Sequence, residues 1–147
     1  MIRPARADEV GWVAETVIAA FRPYGVRIGR EPAPMTADHA ALVAAGEVHI
    51  AEEAGERLGL IVMRGEADHL FIDIIAVRPE AQHRGIGRGL MTFAETEAQR
   101  LGLGALRLYT NALMTENLRF YPRLGFRRTG ARSEHGFERI FFEKRLG

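Results

Sequence analysis

The chain of 147 residues contains no cysteine, and this absence excludes several kinds of chemistry at once. Disulfide bonds, thiolate metal sites and a cysteine nucleophile are all ruled out. Serine is almost absent as well, because Ser133 is the only one. It lies outside any G-x-S-x-G turn, which argues against a serine hydrolase. The histidines show no metal-ligand spacing, so we predict no bound metal.

The chain also lacks an excess of either positive or negative charge. Twenty basic and 19 acidic residues give a formal net charge of +1, so there is no electrostatic reason to expect nucleic-acid binding. No apolar run is long enough to span a bilayer, and the first residues lack the apolar core of a signal peptide. We therefore expect one compact domain over residues 1–147, cytoplasmic and without a membrane partner.

Hydrophobic periodicity predicts strands and helices in the order β-α-α-β-β-β-α-β-α-β-β. Asp8 is the predicted cap of a helix ending near Phe21, and a loop or a broken helix follows over residues 22–34. Thr36 is the predicted cap of a short second helix. A mixed sheet flanked by helices on both faces packs these elements, so the predicted fold class is α/β. The predicted elements cover residues 2–5, 8–21, 36–45, 48–53, 57–64, 69–77, 85–101, 106–110, 115–124, 127–132 and 137–144.

The most informative segment runs from Val77 to Gly89, where a predicted strand ends, Pro79 turns the chain and three alternating glycines open a helix. Glycines let backbone N–H groups point outward without a Cβ that obstructs a ligand. The helix N-terminus adds unsatisfied donors and a partial positive charge. The segment therefore predicts a pyrophosphate site, with Arg84 and Arg88 at its rim. On these residues alone, a simple strand-to-helix turn stays open as the alternative.

Other phosphate-binding motifs fit this segment less well. A Walker loop requires Gly-Lys-Ser/Thr, and the segment has no lysine. A dinucleotide G-x-G-x-x-G motif requires glycine or alanine where Leu90 or Thr92 stands. A nucleotide-binding domain of another fold is therefore the weaker interpretation.

Two motifs resemble those of the GCN5-related N-acetyltransferases (GNAT). Gln82-x-x-Gly85-x-Gly87 resembles the family's Gln/Arg-x-x-Gly-x-Gly/Ala signature and follows a Val-x-Pro strand end, as it does there. A second block from Asn117 to Phe126 resembles the family's Asn…Tyr…Gly-Phe segment, and residues 2–5 resemble its first strand. The resemblance implies a mixed, mostly antiparallel sheet whose two middle strands splay apart, with coenzyme A in the gap.

The resemblance also implies a set of cofactor-binding residues. The pantetheine amides would pair with backbone groups of the strand before the glycines, since an interrupted sheet exposes N–H and C=O groups that need partners. Asn117 would hydrogen-bond the coenzyme, or it is only a polar residue of a first helical turn. The implied residues are Ile75, Ala76 and Val77 for pantetheine, and Gln82, His83, Arg84, Gly85, Ile86, Gly87, Arg88 and Gly89 for the pyrophosphate.

Without cysteine, direct attack of an amine on the thioester is the simplest mechanism. Tyr121 matches the family tyrosine that protonates the departing thiolate; the alternative is that it packs a helix onto the sheet. Asp73 interrupts an apolar strand and is the first choice for general base, and a structural aspartate satisfied by the backbone or an arginine is the alternative. His69 is the second choice, and Phe71 occupies the family's usual acidic position. No base is required if the amine loses its proton to solvent.

The expected function is an N-acetyltransferase that moves an acetyl group from acetyl-coenzyme A to a primary amine of a small molecule or a protein. The alternative is a non-catalytic acyl-coenzyme A binder or sensor. Arg27 and Arg30 are candidate contacts for the acceptor, although a solvated loop with scattered arginines is the preferred explanation. A homodimer is left open.

Overall fold

The computed structural model describes residues 1–147 and contains seven strands and four α-helices. Their order along the chain is β-α-α-β-β-β-α-β-α-β-β, as predicted. The strands are β1 (Ile2–Pro4), β2 (Val48–Glu53), β3 (Glu56–Gly65), β4 (Leu70–Val77), β5 (Ala105–Asn111), β6 (Arg127–Glu134) and β7 (Phe137–Arg145). The helices are α1 (Val10–Ile28), α2 (His39–Ala44), α3 (Ile86–Arg100) and α4 (Thr115–Arg123).

The strands form one sheet in the order β1-β2-β3-β4-β5-β7-β6. β4 and β5 pair in parallel, whereas β1–β2, β2–β3, β5–β7 and β6–β7 pair antiparallel. The prediction of a mixed, mostly antiparallel sheet in an α/β fold is therefore confirmed. None of the helices combines the length and the apolar character that crossing a membrane requires.

The chain folds as two compact units, which we call unit 1 and unit 2. Unit 1 comprises Met1–Met63 and Ile74–Phe93, and unit 2 comprises Arg64–Asp73 and Ala94–Gly147. In unit 2, Leu106, Leu108 and Phe142 are fully or almost fully buried. The core of unit 1 joins helices α1 and α2 to strands β2, β3 and β4 through Val13, Val17, Val43, Val48, Ile50, Leu60, Val62, Ile74 and Ala76.

Asp8 does not cap α1 as predicted, because Glu9 stands at the cap position before Val10, and the Glu9 side chain closes the short 3-10 turn Ala7–Glu9 that precedes the helix. Glu9 Oε1 accepts a hydrogen bond from the Arg6 N–H at 2.9 Å, and Arg3 donates to both oxygens of the same carboxylate. Asp8 is largely exposed and pairs only with the Arg6 side chain. Both carboxylates stand at plausible capping positions in the sequence, but only a glutamate reaches back three residues to the chain before the helix.

The predicted end of α1 near Phe21 was wrong, because the helix continues through Pro23 to Ile28, which also excludes a loop over residues 22–28. A proline inside a helix removes one donor and leaves the carbonyl four residues earlier unpaired. Here that carbonyl belongs to Ala19, which is exposed and accessible to water. The helix ends at Gly29, which adopts a left-handed φ of 83° and donates its N–H to the Gly25 carbonyl.

The cap of α2 was also assigned to the wrong residue. Asp38 Oδ1 accepts a hydrogen bond from the Ala41 N–H at 3.0 Å, whereas Thr36 lies in a preceding short turn and donates to the Ala33 carbonyl. The predicted stop at Gly46 is correct. Its φ is 75°, and hydrogen bonds from Gly46 and Glu47 back to the last turn form a Schellman motif.

Candidate functional site

Strand β4 has the alternating burial that the sequence predicts for a strand. Four of its side chains are buried and the four between them are half-buried. Asp73 belongs to the half-buried set, together with Phe71, Ile75 and Val77.

The parallel pairing between β4 and β5 is short. It joins Leu70 to Leu106 and Phe71 to Arg107, near the beginning of each strand. β4 then continues for six more residues and β5 for four. The backbone groups of Ile75–Val77, which are the predicted partners of pantetheine, come after the last of these pairs.

The segment after β4 exposes a row of backbone donors. The N–H groups of residues 83–88 donate to no protein acceptor, and the first bonded amide is that of Gly89, which donates to the Gly85 carbonyl at 3.0 Å. Residues 82–85 are exposed, so no side chain closes over them. Three of the unbonded amides belong to the first turn of α3, where the helix dipole adds a partial positive charge. The segment therefore has the geometry of an anion-binding site.

Backbone conformation explains the residue types at this loop. His83 and Gly85 have φ values of 66° and 80°, both in the left-handed region. Alternation of left- and right-handed residues turns successive N–H groups toward the same side, which forms an anion-binding nest. A glycine adopts such a φ without strain, whereas a histidine pays about 1 kcal/mol. His83 therefore adopts a backbone conformation that a glycine would reach without strain.

Hydrogen bonds to neighbouring residues of unit 1 hold this loop in place. Gln82 Nε2 donates to the Val77 carbonyl at 3.3 Å, which links the two ends of the turn. Arg78 donates its backbone N–H to the Leu58 carbonyl and its Nη1 to the Arg57 carbonyl. We call the loop and first helical turn over residues 82–88 the cradle. Gln82 therefore acts on the shape of the cradle, while the exposed donors are backbone groups.

Gly59 in β3 lies beneath the cradle, and the sequence analysis missed it. A Cβ at this position would stand 2.9 Å from the Ala76 carbonyl oxygen and 3.3 Å from Ile86 Cγ2. The absence of a side chain therefore lets β3, β4 and the start of α3 approach closely. The available signal was a lone glycine inside an otherwise apolar strand, which typically marks a close backbone approach.

Two arginines stand at the rim of the cradle as predicted. The Arg84 guanidinium lies 3.8 Å from the Glu53 carboxylate, and both side chains are more than half exposed. Such an exposed, long ion pair contributes little stability, so Arg84 is free to reorient toward a ligand. Arg88 is exposed, and its backbone carbonyl accepts from the Thr92 hydroxyl within the helix.

Asp73 is ion-paired in unit 2. Arg64 Nη1 and Nη2 both lie 3.1 Å from Asp73 Oδ2, and the same guanidinium lies 5.1 Å from the centre of the Phe71 ring. Asp73 Oδ1 makes no hydrogen bond within the protein. The pairing with an arginine matches the structural alternative for Asp73, yet it leaves one carboxylate oxygen available.

His69, the second candidate base, comes immediately before β4. Its Nδ1 lies 2.7 Å from Asp68 Oδ1, and this hydrogen bond lowers the pKa of the Asp68 carboxyl. The Arg107 guanidinium lies 3.9 Å from the other Asp68 oxygen. Asp68 is mostly exposed, so this pair is a surface arrangement at the start of the strand.

Tyr121 in α4 lies among aromatic rings of unit 2. Its ring centroid is 5.5 Å from that of Phe120, 5.8 Å from Phe126 and 5.7 Å from Phe142. The ring therefore packs α4 onto β7. This packing fixes the ring and is compatible with a hydroxyl that acts as an acid.

Asn117 links α4 to β5. Its Nδ2 donates to Thr110 Oγ1 at 3.1 Å, and Thr110 is buried. The side-chain amide thus has a structural partner whether or not it also contacts a ligand.

A second feature that the sequence analysis missed is a row of aromatic rings on unit 2. The Tyr109 ring lies 5.9 Å from Phe71 and 5.5 Å from Phe141. The Arg139 guanidinium lies 4.4 Å over Tyr109 and pairs with Glu134 at 3.2 Å. Burial raises the pKa of the Tyr109 phenol, and the Arg139 charge partly opposes the rise. The available signal was the alternation of side chains along β5, which places the Tyr109 ring on the other face of the strand from the buried Leu108.

No group of three or more histidine, aspartate or glutamate side chains is arranged to hold a metal ion.

Comparison with known proteins gives the family. The family model described as acetyltransferase (GNAT) domain matches residues 44–128, which include β2 to α4 and the start of β6. The chain belongs to the GNAT family. This confirms the family resemblance drawn from the two motifs and makes the protein an acyltransferase by family.

One curated GNAT relative matches over a shorter stretch. Mycothiol acetyltransferase of Pseudarthrobacter chlorophenolicus is 44% identical over 55 residues. The match covers 37% of this chain and only 17% of that protein's length. The two proteins therefore share one 55-residue segment, and the chain matches only a small part of the relative's length.

Solved GNAT structures share the fold over the whole chain. PaiA N-acetyltransferase of Thermoplasma acidophilum, in complex with coenzyme A, has a TM-score of 0.82 at 17% identity, covering 99% of this chain and 98% of that one. The ribosomal-protein-S18-alanine N-acetyltransferase of Escherichia coli has a TM-score of 0.77 at 18% identity, covering 99% and 93%. These identities are low, so the likeness establishes the GNAT fold and leaves the acceptor open.

Proposed function

We propose that this GNAT protein is an N-acetyltransferase that moves the acetyl group of acetyl-coenzyme A to a primary amine. The observation that carries the proposal is the row of unbonded N–H groups at residues 83–88, at the N-terminus of α3. A pyrophosphate fits such a row because every donor is a backbone group and no Cβ obstructs it at Gly85. A relative of this fold, PaiA of Thermoplasma acidophilum, was solved with coenzyme A, which supports the choice of ligand.

Residues on both sides of Pro79 would hold the ligand. The amides of residues 83–88 bind the pyrophosphate, and Arg84 and Arg88 add full charges at the rim. The backbone groups of Ile75–Val77 hydrogen-bond the pantetheine amides in the manner of an added strand. Asn117 contributes a side-chain contact from α4. Acetyl-coenzyme A supplies an activated thioester, so the protein's own work is positioning and proton transfer.

Tyr121 is the proposed acid. A phenol has a reference pKa of about 10 and a thiol about 8.5, so a phenol is protonated at neutral pH and can donate to a departing thiolate. The surrounding Phe120, Phe126 and Phe142 rings hold the Tyr121 ring in one orientation.

Asp73 is the proposed base, acting directly or through one water. The Arg64 guanidinium holds its Oδ2, and Oδ1 is the oxygen available to the ammonium group of an acceptor. The transferred acetyl group forms a bond to the amine nitrogen as its bond to sulfur breaks. The ammonium group gives one proton to Asp73 before the attack, and the nitrogen loses a second proton to solvent as the amide forms. Tyr121 protonates the departing thiolate and is then reprotonated from solvent.

The test is release of free thiol from acetyl-coenzyme A in the presence of a panel of amines. The panel includes polyamines, free amino acids and a peptide with an N-terminal alanine, the last suggested by the name of the Escherichia coli structural neighbour. We expect thiol release that depends on one class of amine and yields the N-acetylated product by mass spectrometry. Tight binding of acetyl-coenzyme A without turnover on any amine would instead indicate a non-catalytic binder.

A further inference from the structure

Strand β6 has a free edge. It is the last strand of the sheet and pairs only with β7. Every residue from Arg127 to Ser133 is exposed. Its outward N–H and C=O groups are therefore available to another extended chain.

The sequence leading into and along this edge, up to Ser133, is rich in arginine and has no carboxylate. Residues 117–133 contain five arginines and no aspartate or glutamate, whereas the average frequency of acidic residues in the chain would put about two in a stretch of this length. The arginines are Arg119, Arg123, Arg127, Arg128 and Arg132.

Ion pairing leaves most of this charge uncompensated. Arg127 approaches Glu143 only to 4.0 Å and Arg132 approaches Glu134 only to 3.9 Å, and their side chains are 73% and 66% exposed. Exposed pairs at such distances contribute little. The other three arginines are exposed and have no carboxylate partner within the protein. The positive charge is thus directed to solvent.

The arginines lie on both faces of the strand. Arg128 stands opposite Phe142, while Arg127 and Arg132 stand opposite Glu143 and Arg139, which face the other way. Helix α4, which contacts β6, carries Arg119 and Arg123 one turn apart. A chain lying along β6 would therefore meet a guanidinium whichever way its side chains point.

We propose that the β6 edge, with Arg119 and Arg123 beside it, binds an acidic extended segment of a partner protein as an added strand. The open backbone ladder fits a polypeptide, which has N–H and C=O groups at the strand spacing. The charge selects an acidic segment and repels a second basic edge of the same kind. A nucleic acid would satisfy the guanidinium groups but not the backbone ladder.

The probe is a fluorescein-labelled ten-residue peptide of alternating glutamate and threonine, measured by anisotropy at low salt. Its matched control replaces every second threonine by proline, which keeps the charge but removes strand hydrogen bonds. We expect the Glu-Thr peptide to bind at least tenfold more tightly than the proline peptide, and to protect the amides of residues 127–133 from hydrogen exchange.

Two double variants separate this surface from general charge. Arg127→Glu with Arg128→Glu should weaken peptide binding at least tenfold, while Arg22→Glu with Arg100→Glu should leave it within twofold. Calorimetry with coenzyme A checks that each variant is folded. Equal binding of the two peptides, no binding of either, or displacement by single-stranded RNA of the same charge at a lower concentration would each overturn the proposal.

Discussion

Asp73, the proposed base, forms an ion pair with Arg64 through two contacts of 3.1 Å to a single carboxylate oxygen. An arginine in this position fixes the direction of the carboxylate. It also offers a purely structural explanation for an aspartate inside an apolar strand. The sequence permitted both roles because it does not show that Arg64, nine residues earlier, reaches Asp73.

Substitution on each side of this pair distinguishes the two roles. Asp73→Asn removes the base and should lower the rate of thiol release about tenfold to a hundredfold, with an unchanged KM for acetyl-coenzyme A. Arg64→Gln breaks the same ion pair but keeps the carboxylate, so most of the rate should remain. Steady-state kinetics on both variants is the measurement. Equal losses in the two would show that only the ion pair matters.

Tyr121→Phe separates acid catalysis from packing, because phenylalanine keeps the ring contacts with Phe120, Phe126 and Phe142. We expect the rate of thiol release to fall at least tenfold while the urea midpoint of unfolding stays the same. Tyr109→Phe is the matched control and should retain the rate. If Tyr121→Phe releases thiol at an undiminished rate across the pH range, Tyr121 is not the acid.

At the scale of the elements, periodicity predicted every strand and helix, but the helix ends depended on single side chains. Asp8 and Glu9 both suit a cap, and only the reach of the longer side chain decides between them. Thr36 and Asp38 pose the same ambiguity before α2. Pro23 suggested an early end of α1, yet the exposed Ala19 carbonyl can bind water instead. Such choices depend on local solvation, which hydrophobic spacing does not encode.

Gly59 tests whether the packing of three elements shapes the cradle. In Gly59→Ala the new Cβ would press on the Ala76 carbonyl at 2.9 Å and on Ile86 at 3.3 Å. We expect the free energy of unfolding to fall by about 1–3 kcal/mol and the affinity for acetyl-coenzyme A to fall with it.

Gly65→Ala, in the same strand, is the matched control for Gly59. Its Cβ would meet only Leu103 Cδ1, at an ordinary 3.7 Å. Urea unfolding and calorimetry on both variants give the comparison. A Gly59→Ala protein as stable as Gly65→Ala, with unchanged affinity, would show that β3 does not support the cradle.

At the scale of the whole molecule, the element order and two short motifs were enough to predict the GNAT fold. The glycines after β4 also indicated the turn into α3, at which the N–H groups of residues 83–88 make no hydrogen bond within the protein. The aromatic row around Tyr109 and the partner of Asp73 were not, because both depend on which strands become neighbours. The sequence spacing between Phe71, Tyr109 and Phe141 carries no sign that their rings meet.

Acid stability of the folded chain should depend on the buried Glu9. Hydrogen bonds from Arg3 and from the Arg6 backbone lower its pKa from 4.5 to about 2. A lowered folded-state pKa contributes stability above the unfolded value, and this contribution is lost as the pH falls from about 4.5 to about 2. The shift corresponds to about 3 kcal/mol at neutral pH.

Glu9→Gln should therefore be less stable than wild type at pH 7, and the difference should shrink as the pH approaches 2. Asp8→Asn, next to it and exposed, is the control and should follow the wild-type curve. Urea unfolding from pH 7 to pH 2 is the measurement. A Glu9→Gln deficit that stays constant with pH would contradict the assigned linkage.

The central claim is that the amides of residues 83–88 bind the pyrophosphate of coenzyme A. Calorimetric titration of acetyl-coenzyme A into wild type, Gly87→Glu and Gly11→Glu tests it most directly. Gly87 and Gly11 are each the second residue of a helix, where a glutamate is favourable for the helix dipole. We predict that Gly11→Glu binds like wild type and that Gly87→Glu binds at least a hundredfold more weakly, because its carboxylate repels the pyrophosphate. Equal affinity of all three proteins would contradict the claim.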